Sequence, residues 1–282
     1  MRVSDSALLD LPPQEPCVFQ GGAREAMKAS DGDLLDLPGP DRLKNADKVA
    51  DRSDDASPVR RPGQTMNDDT ADAARYGEGC AAFYDEIYPP PGSQALRLLV
   101  ELAAGGAVLE AGVGTGRYAL PLLARGLSVH GIEASPAMRR QLRRKPGAAA
   151  LSLTAGDFSR LSAPGRYALA LCLTDTLALL PDRPSQRAAL QRLAQSLAPG
   201  AKLLLETAHG GCTAPAEVDI EFLSAAGKRN YRVSLLPLDL AELDGWAAAC
   251  SLRLAARWRN WQTQDWSGER GMVLSLYVAA GD

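Results

Sequence analysis

Glu110, Gly112, Gly114, Gly116 and Arg117 lie within Ala107-Val108-Leu109-Glu110-Ala111-Gly112-Val113-Gly114-Thr115-Gly116-Arg117, a short apolar run that ends in a carboxylate and three alternate glycines. Glycine at every second position lets the backbone turn sharply and approach a ligand with no Cβ in the way. The helix expected over Arg117 to Ala124 would bring its free N–H groups to the same spot. A pyrophosphate-binding turn reads G-x-G-x-x-G and needs its third glycine where Arg117 stands, so a dinucleotide fit fails by one residue. Other polar residues also end apolar runs. Glu133 closes Leu127 to Ile132, about twenty residues past the first glycine, where an acid accepts hydrogen bonds from a ribose. Asp157 and Phe158 follow the run Ala150 to Thr154. Thr174, Asp175 and Thr176 follow Tyr167 to Leu173, and Glu206-Thr207-Ala208-His209 follows Ala201 to Leu205.

The elements that must carry these residues alternate strand and helix. Five apolar runs, with a helical stretch Ser185 to Leu197 and a turn at Pro199-Gly200 before the fifth, predict a parallel sheet. In such a sheet ligands bind beyond the carboxyl ends of the strands, and all the polar residues just named fall at that edge. Tyr167 to Leu173 reads as a strand covered on both faces. His130 and Cys172, inside their runs, read as core. A C-terminal helix, Leu238 to Cys250, precedes a strand pair at Leu252 to Leu254 and Met272 to Val278. Upstream, Ala71 to Tyr88 carries Ala74, Cys80, Ala81, Phe83, Tyr84 and Ile87 at helical spacing, which predicts an amphipathic lid helix. Pro89-Pro90-Pro91-Gly92 ends it, and Ser93 is placed to cap the next helix, Gln94 to Leu102.

Composition narrows the class. A net charge of −3 argues against broad attraction to nucleic acid or anionic membrane. No apolar run reaches the roughly eighteen residues that a membrane span needs, and no secretory signal is visible. Five scattered cysteines, never in C-x-x-C spacing, read as reduced thiols in a cytoplasm with no metal site. Residues 1–65 are dense in Pro, Gly, Ser and Asp, a composition for which disorder is the default, so the globular domain is read as 69–282. Within the extension, the acidic-leucine box Ser4 to Pro12 recurs at Ser30 to Pro38. It is read either as a short docking motif, somewhat like the recognition boxes of natural-product leader peptides, or as a duplicated tail. Met66 then serves as an alternative start.

The pattern E-x-G-x-G-x-G at Glu110 to Gly116 resembles motif I of class I S-adenosylmethionine (SAM)-dependent methyltransferases. The resemblance runs from Tyr84 to Thr207, to a bacterial, often actinobacterial, group whose relatives modify small metabolites and N-methylate amino sugars. It implies a Rossmann-like, doubly wound α/β domain with a mostly parallel seven-stranded sheet and an antiparallel C-terminal strand pair. It implies SAM as cofactor, with Glu110 suited to its ammonium and the turn Gly112, Gly114, Gly116 and Arg117 around it. Glu133 would hold the ribose, Asp157 the adenine amine and Phe158 an apolar wall, with Thr174 at the same edge. Tyr84-Asp85-Glu86-Ile87-Tyr88 resembles the Y-D-x-x-Y element whose tyrosines close over the cofactor. Two departures stand out. Relatives read roughly S-S-I-G-H after strand four, where this chain has Asp175-Thr176-Leu177-Ala178-Leu179. Relatives also insert several antiparallel strands after strand five as a lid or dimer surface, whereas only Gly210 to Leu236 is available here, leaving as expectations an open pocket or a lid supplied by another chain, as in a homodimer, or by the N-terminal helix.

Methyl transfer from a sulfonium is an in-line displacement in which positioning does most of the work, and a base is needed only for a protonated or weak nucleophile. His209 is the candidate base, and Asp175 the candidate partner of an acceptor amine or hydroxyl. The sequence therefore reads as a methyltransferase acting on a small-molecule acceptor. Two alternatives stand beside it: an RNA or protein methyltransferase, suggested by Arg139, Arg140, Arg143, Arg144, Lys145 and the tryptophans near Arg257, and a non-catalytic SAM-binding or partner-binding module.

Overall fold

The computed structural model describes residues 68–211, 213–224 and 227–281, so the two leucine boxes and Met66 lie outside the described residues. Five strands, β1 (Val108–Ala111), β2 (Val129–Glu133), β3 (Ser152–Ala155), β4 (Tyr167–Cys172) and β5 (Leu197–His209), pair in parallel. Two later strands, β8 (Leu252–Trp258) and β9 (Gly271–Ala279), complete a seven-stranded sheet of order β3-β2-β1-β4-β5-β9-β8. Strand β9 runs antiparallel to both of its neighbours. This is the doubly wound arrangement expected, and its order reverses direction between β1 and β4, where ligands bind in open α/β sheets.

Helices α3 (Ser93–Ala103), α4 (Ala119–Leu123) and α5 (Pro136–Arg143) carry Leu99, Leu122 and Leu142 into one core layer. Helices α6 (Arg183–Gln195) and α7 (Leu240–Ala249) bring Leu190, Leu193 and Leu243 into the other. Burial on both faces explains why β4 reads as an unbroken apolar run.

Several boundaries move from expectation for identifiable reasons. The lid helix is not continuous: α1 (Asp68–Cys80) and α2 (Tyr84–Ile87) are separated by a turn at 81–83. Gly77 and Gly79 weaken the helix there, and the bend sets the Phe83 ring 5.8 Å from Tyr231. Ser93 is the first residue of α3; Gly92 holds the N-cap position without a side-chain bond. Helix α4 starts at Ala119 because Gly112, Gly114 and Gly116 all have positive φ and prolong the turn. Strand β5 extends to His209 because each of its residues from Lys202 onward pairs with β9, ending at His209 opposite Gly271.

The segment Gly210 to Leu236 contains a hairpin, β6 (Ala216–Ser224) and β7 (Gly227–Leu235), paired along its length. An isolated two-stranded ribbon is marginal in water. This one is anchored by buried Tyr231 and Val233 and by the Leu236 N–H, which donates to the Ala178 carbonyl at 2.7 Å. Tyr231 joins Cys80, Ala81 and Met138 in a small third core between α1, α5 and β7. Of the expected alternatives, the N-terminal helix as lid matches this arrangement, with Tyr76 and Gly77 over the cleft and the hairpin packed against that helix.

Candidate active site

The glycine turn uses up its own amides. Gly112 and Val113 both donate to the Ile132 carbonyl, Gly116 donates to the Val113 carbonyl, and Gly114 donates to Glu133 Oε2 at 2.8 Å. These groups would have cradled a pyrophosphate, and here they tie the turn to β2. Two glycines are required sterically as well as conformationally. A Cβ on Gly112 would meet Thr176 Cγ2 at 2.5 Å, and one on Gly116 would meet Leu142 Cδ1 at 2.5 Å.

Around the turn lies a cleft. Its floor includes Gly112, Gly114, Glu133 and Thr174, and its walls include Phe158 and Leu180. Tyr76, Gly77 and Tyr84 roof it from the lid. Strands β1, β2, β3 and β4 thus each deliver a residue or turn to one place. Glu133, buried, accepts from the Ser135 N–H at 2.8 Å as well as from Gly114. Burial raises its pKa against those bonds. Asp157 is buried with Oδ1 accepting from the Ser159 N–H at 2.7 Å, which fixes the turn that presents Phe158.

Glu110 is 4% exposed and its Oε2 has no partner among the described residues. Burial pushes its carboxyl up to about 8, while Arg117 and the Ala119 N–H pull the other way. An orphaned buried carboxylate oxygen costs free energy unless a ligand reaches it.

The lid is bolted to this floor. Glu78 Oε1 accepts from the Ser135 hydroxyl and from the Ala137 N–H, each at 2.8 Å, which joins α1 to the start of α5. Thr115 Oγ1 donates to Asp85 at 2.6 Å, and Lys145 pairs with the same carboxylate at 2.7 Å. Arg117 Nε donates to the Pro89 carbonyl at 2.7 Å, and its guanidinium lies 4.8 Å from the Tyr118 ring centroid. Tyr84 and Tyr88 stack at 4.6 Å, and the Tyr76 hydroxyl meets that of Tyr88 at 3.4 Å. Of the two tyrosines the sequence singled out, Tyr84 lines the cleft, whereas Tyr88 and Arg117 brace it from behind. Tyr76, Gly77, Glu78, Leu180 and Tyr231 were missed. A glycine inside a helical pattern is the one local signal that marked any of them.

Neither candidate catalytic residue lines the cleft, although Asp175 lies between Thr174 and Thr176, which do. Asp175 is half-buried beside Thr174, with Oδ1 accepting from the Ala208 N–H at 3.2 Å. His209 is the last residue of β5, not beyond it, and its ring lies edge-on to Trp266 at 4.8 Å, outside the lining of the cleft. Several residues of the basic clusters are engaged within the chain. Arg139 donates to the Glu133 and Ala134 carbonyls, Arg140 faces Glu78, and Arg257 pairs with Asp244 at 2.7 Å beside Trp266.

Residues 108–200 match the profile described as a methyltransferase domain. With the sheet order and the glycine turn, that match makes this stretch similar to class I SAM-dependent methyltransferase domains. Among curated relatives, an uncharacterized methyltransferase of Geobacillus kaustophilus is 37% identical over 123 residues, which is 43% of this chain and 56% of that protein. The chain therefore spans little more than half the length of that relative. Among solved structures, the CcbJ methyltransferase of Streptomyces caelestis superposes with a TM-score of 0.65 at 26% identity, covering 74% of this chain and 99% of that one. The glycopeptide N-methyltransferase MtfA, solved with SAM, shares the fold at 20% identity and a TM-score of 0.53, covering 80% of this chain and all of that one.

Proposed function

We propose that the cleft binds SAM and that the protein transfers its methyl group to a small-molecule acceptor. The observation that carries this reading is the meeting of the Gly112–Gly116 turn, Glu133 and Phe158 in one roofed cleft. The residues fit the cofactor's chemistry. Glu110 offers an unsatisfied carboxylate to a cationic ligand, Glu133 keeps acceptor lone pairs for a ribose, and Phe158 with Leu180 supplies apolar walls. When bound, SAM provides an electrophilic methyl carbon, which the acceptor's lone pair takes as the carbon–sulfur pair returns to sulfur. The chain's own contribution is to hold the reactants in line under the lid, exclude water, and accept the acceptor's proton.

Asp175 is the group assigned that proton. Burial pushes it up to about 7, which suits a base working near neutrality. His209, held against Trp266, is assigned to packing of the loop between β8 and β9. The internal pairing of the Arg139 and Arg257 clusters favours a small acceptor over RNA. Calorimetry with SAM and with S-adenosylhomocysteine (SAH) tests the reading. Micromolar binding of both is the expected result, and absence of binding to either rejects it. Binding without turnover across a panel of amine and hydroxyl acceptors would instead favour the non-catalytic module.

A further inference from the structure

Thr174 and Asp175 carry a feature that a cofactor cleft does not explain. Both have left-handed backbone, with φ of 56° and 53°. A β-branched threonine is seldom found there, and two such residues in succession are strained unless the surroundings impose them. What imposes them is one residue of the neighbouring strand. Glu206, 3% exposed on β5, accepts the Thr174 N–H on its Oε2 at 2.7 Å. Its main-chain carbonyl accepts the Asp175 N–H at 3.0 Å. Two residues on, the Ala208 N–H donates to Asp175 Oδ1 at 3.2 Å. The β4-to-helix turn is thus clamped to β5 from three sides, and Thr174 is set into the floor of the cleft.

We infer that Glu206 is a positioning residue for proton transfer: it fixes the left-handed Thr174–Asp175 pair so that the Asp175 carboxyl stands at the edge of the cleft as proton acceptor. This rests on reading the cleft as a methyl-transfer site. A neutral hydrogen-bond acceptor would satisfy the Thr174 N–H equally well, so the charge on Glu206 has a separate consequence. Its carboxylate disfavours ionisation of Asp175, adding to the effect of burial and opposing the Ala208 N–H. The other groups facing this turn are Cys172 on β4, whose thiol feels both Asp175 and Glu110, and Arg117, whose guanidinium reaches Thr174 Oγ1 at 3.5 Å. His209, on the same strand as Glu206, faces Trp266.

The test is a carboxyl-carbon NMR titration of the full chain, with the Asp175 signal identified by its loss in D175N. In wild type it is expected to titrate near 7. In E206Q, whose amide oxygen still accepts the Thr174 N–H but carries no charge, the midpoint should fall by about one pH unit. SAH affinity of E206Q, measured by calorimetry, should stay within about threefold of wild type. An Asp175 midpoint unchanged both in E206Q and in E206A, which also removes the acceptor of the Thr174 N–H, overturns the inference. So does a tenfold or greater loss of SAH affinity, which would make Glu206 part of the cofactor site. Because the titration needs no ligand, a wild-type protein that fails to bind SAH rejects the cofactor reading and leaves the Glu206–Asp175 coupling measurable.

Discussion

Glu110→Gln is expected to weaken SAM binding about tenfold or more and, at the same time, to flatten the pH dependence of the unliganded protein's stability. The first effect follows from removing a charge-assisted hydrogen bond, which contributes roughly 1.5–3 kcal/mol, where tenfold in affinity is about 1.4 kcal/mol. The second follows from the sign of the Glu110 shift. Its carboxyl is raised to about 8 in the folded chain, from an ordinary value of 4.5. Between those two pH values the unfolded chain has released the proton and the folded chain has not. Ionisation therefore favours unfolding, and stability present below pH 4.5 is lost as pH rises to 8. For Glu110 this loss is on the order of a few kcal/mol. Glutamine cannot ionise, so the variant keeps the falls of the same sign that Asp175, on its way up to about 7, and buried Glu133 contribute. Thermal melts at pH 5 and pH 8 provide the check. Equal pH slopes for wild type and variant would show that Glu110 is not buried as described. Linkage adds a second readout: a cationic ligand that ionises Glu110 binds more tightly as pH rises toward 8, and this trend should shrink in the variant.

Gly77→Ala is expected to reduce SAM affinity by tenfold or more, although helix propensity alone would make it stabilising by about 1 kcal/mol. Gly77 is buried in α1 where that helix crosses the start of α5. An added Cβ would sit 2.5 Å from Ser135 Cβ, 2.6 Å from Ser135 Oγ and 2.8 Å from Met138 Cγ. Ser135 has no freedom to retreat. It is fully buried, its hydroxyl caps α5 through the Met138 N–H and donates to Glu78, and its own N–H donates to Glu133. Either α1 lifts and the roof of the cleft opens, or Ser135 shifts and disturbs Glu133. Calorimetry with SAH and hydrogen exchange over residues 68–88 distinguish these outcomes from a neutral one. Unchanged affinity with unchanged protection would mean that α1 does not close the site. Gly79, two residues on, serves as the control, since its nearest neighbour to an added Cβ, on Tyr231, lies 4.0 Å away.

What could be read from the chain was whatever is encoded by local pattern. Glu110 and the alternate glycines announce themselves because a positive-φ turn against a strand admits few other residues. Glu133, Asp157 and Asp175 were legible for a related reason, since the end of each parallel strand is the one place where a polar residue follows an apolar run. The sheet followed from the same alternation, up to its antiparallel final pair. Periodicity has no access to which side of a strand end a side chain takes, and this is why His209 read as the base and Asp175 only as a partner of the acceptor. The pairing of β5 with β9 carries His209 against Trp266, while a left-handed turn clamped by Glu206 holds Asp175 between Thr174 and Thr176, which line the cleft.

The roof was invisible for a different reason. Gly77 and Tyr76 lie on a helix more than 150 residues from Tyr231 on the hairpin, and none carries a spacing that marks it. Their juxtaposition exists only once α1 crosses α5 and the hairpin folds back over both. The local code thus specifies the turn, the strands and the chemistry at their ends, because those depend on backbone conformation and short-range polarity. The closed cleft, its acid partner and its lid depend on long-range packing, which only the folded chain decides.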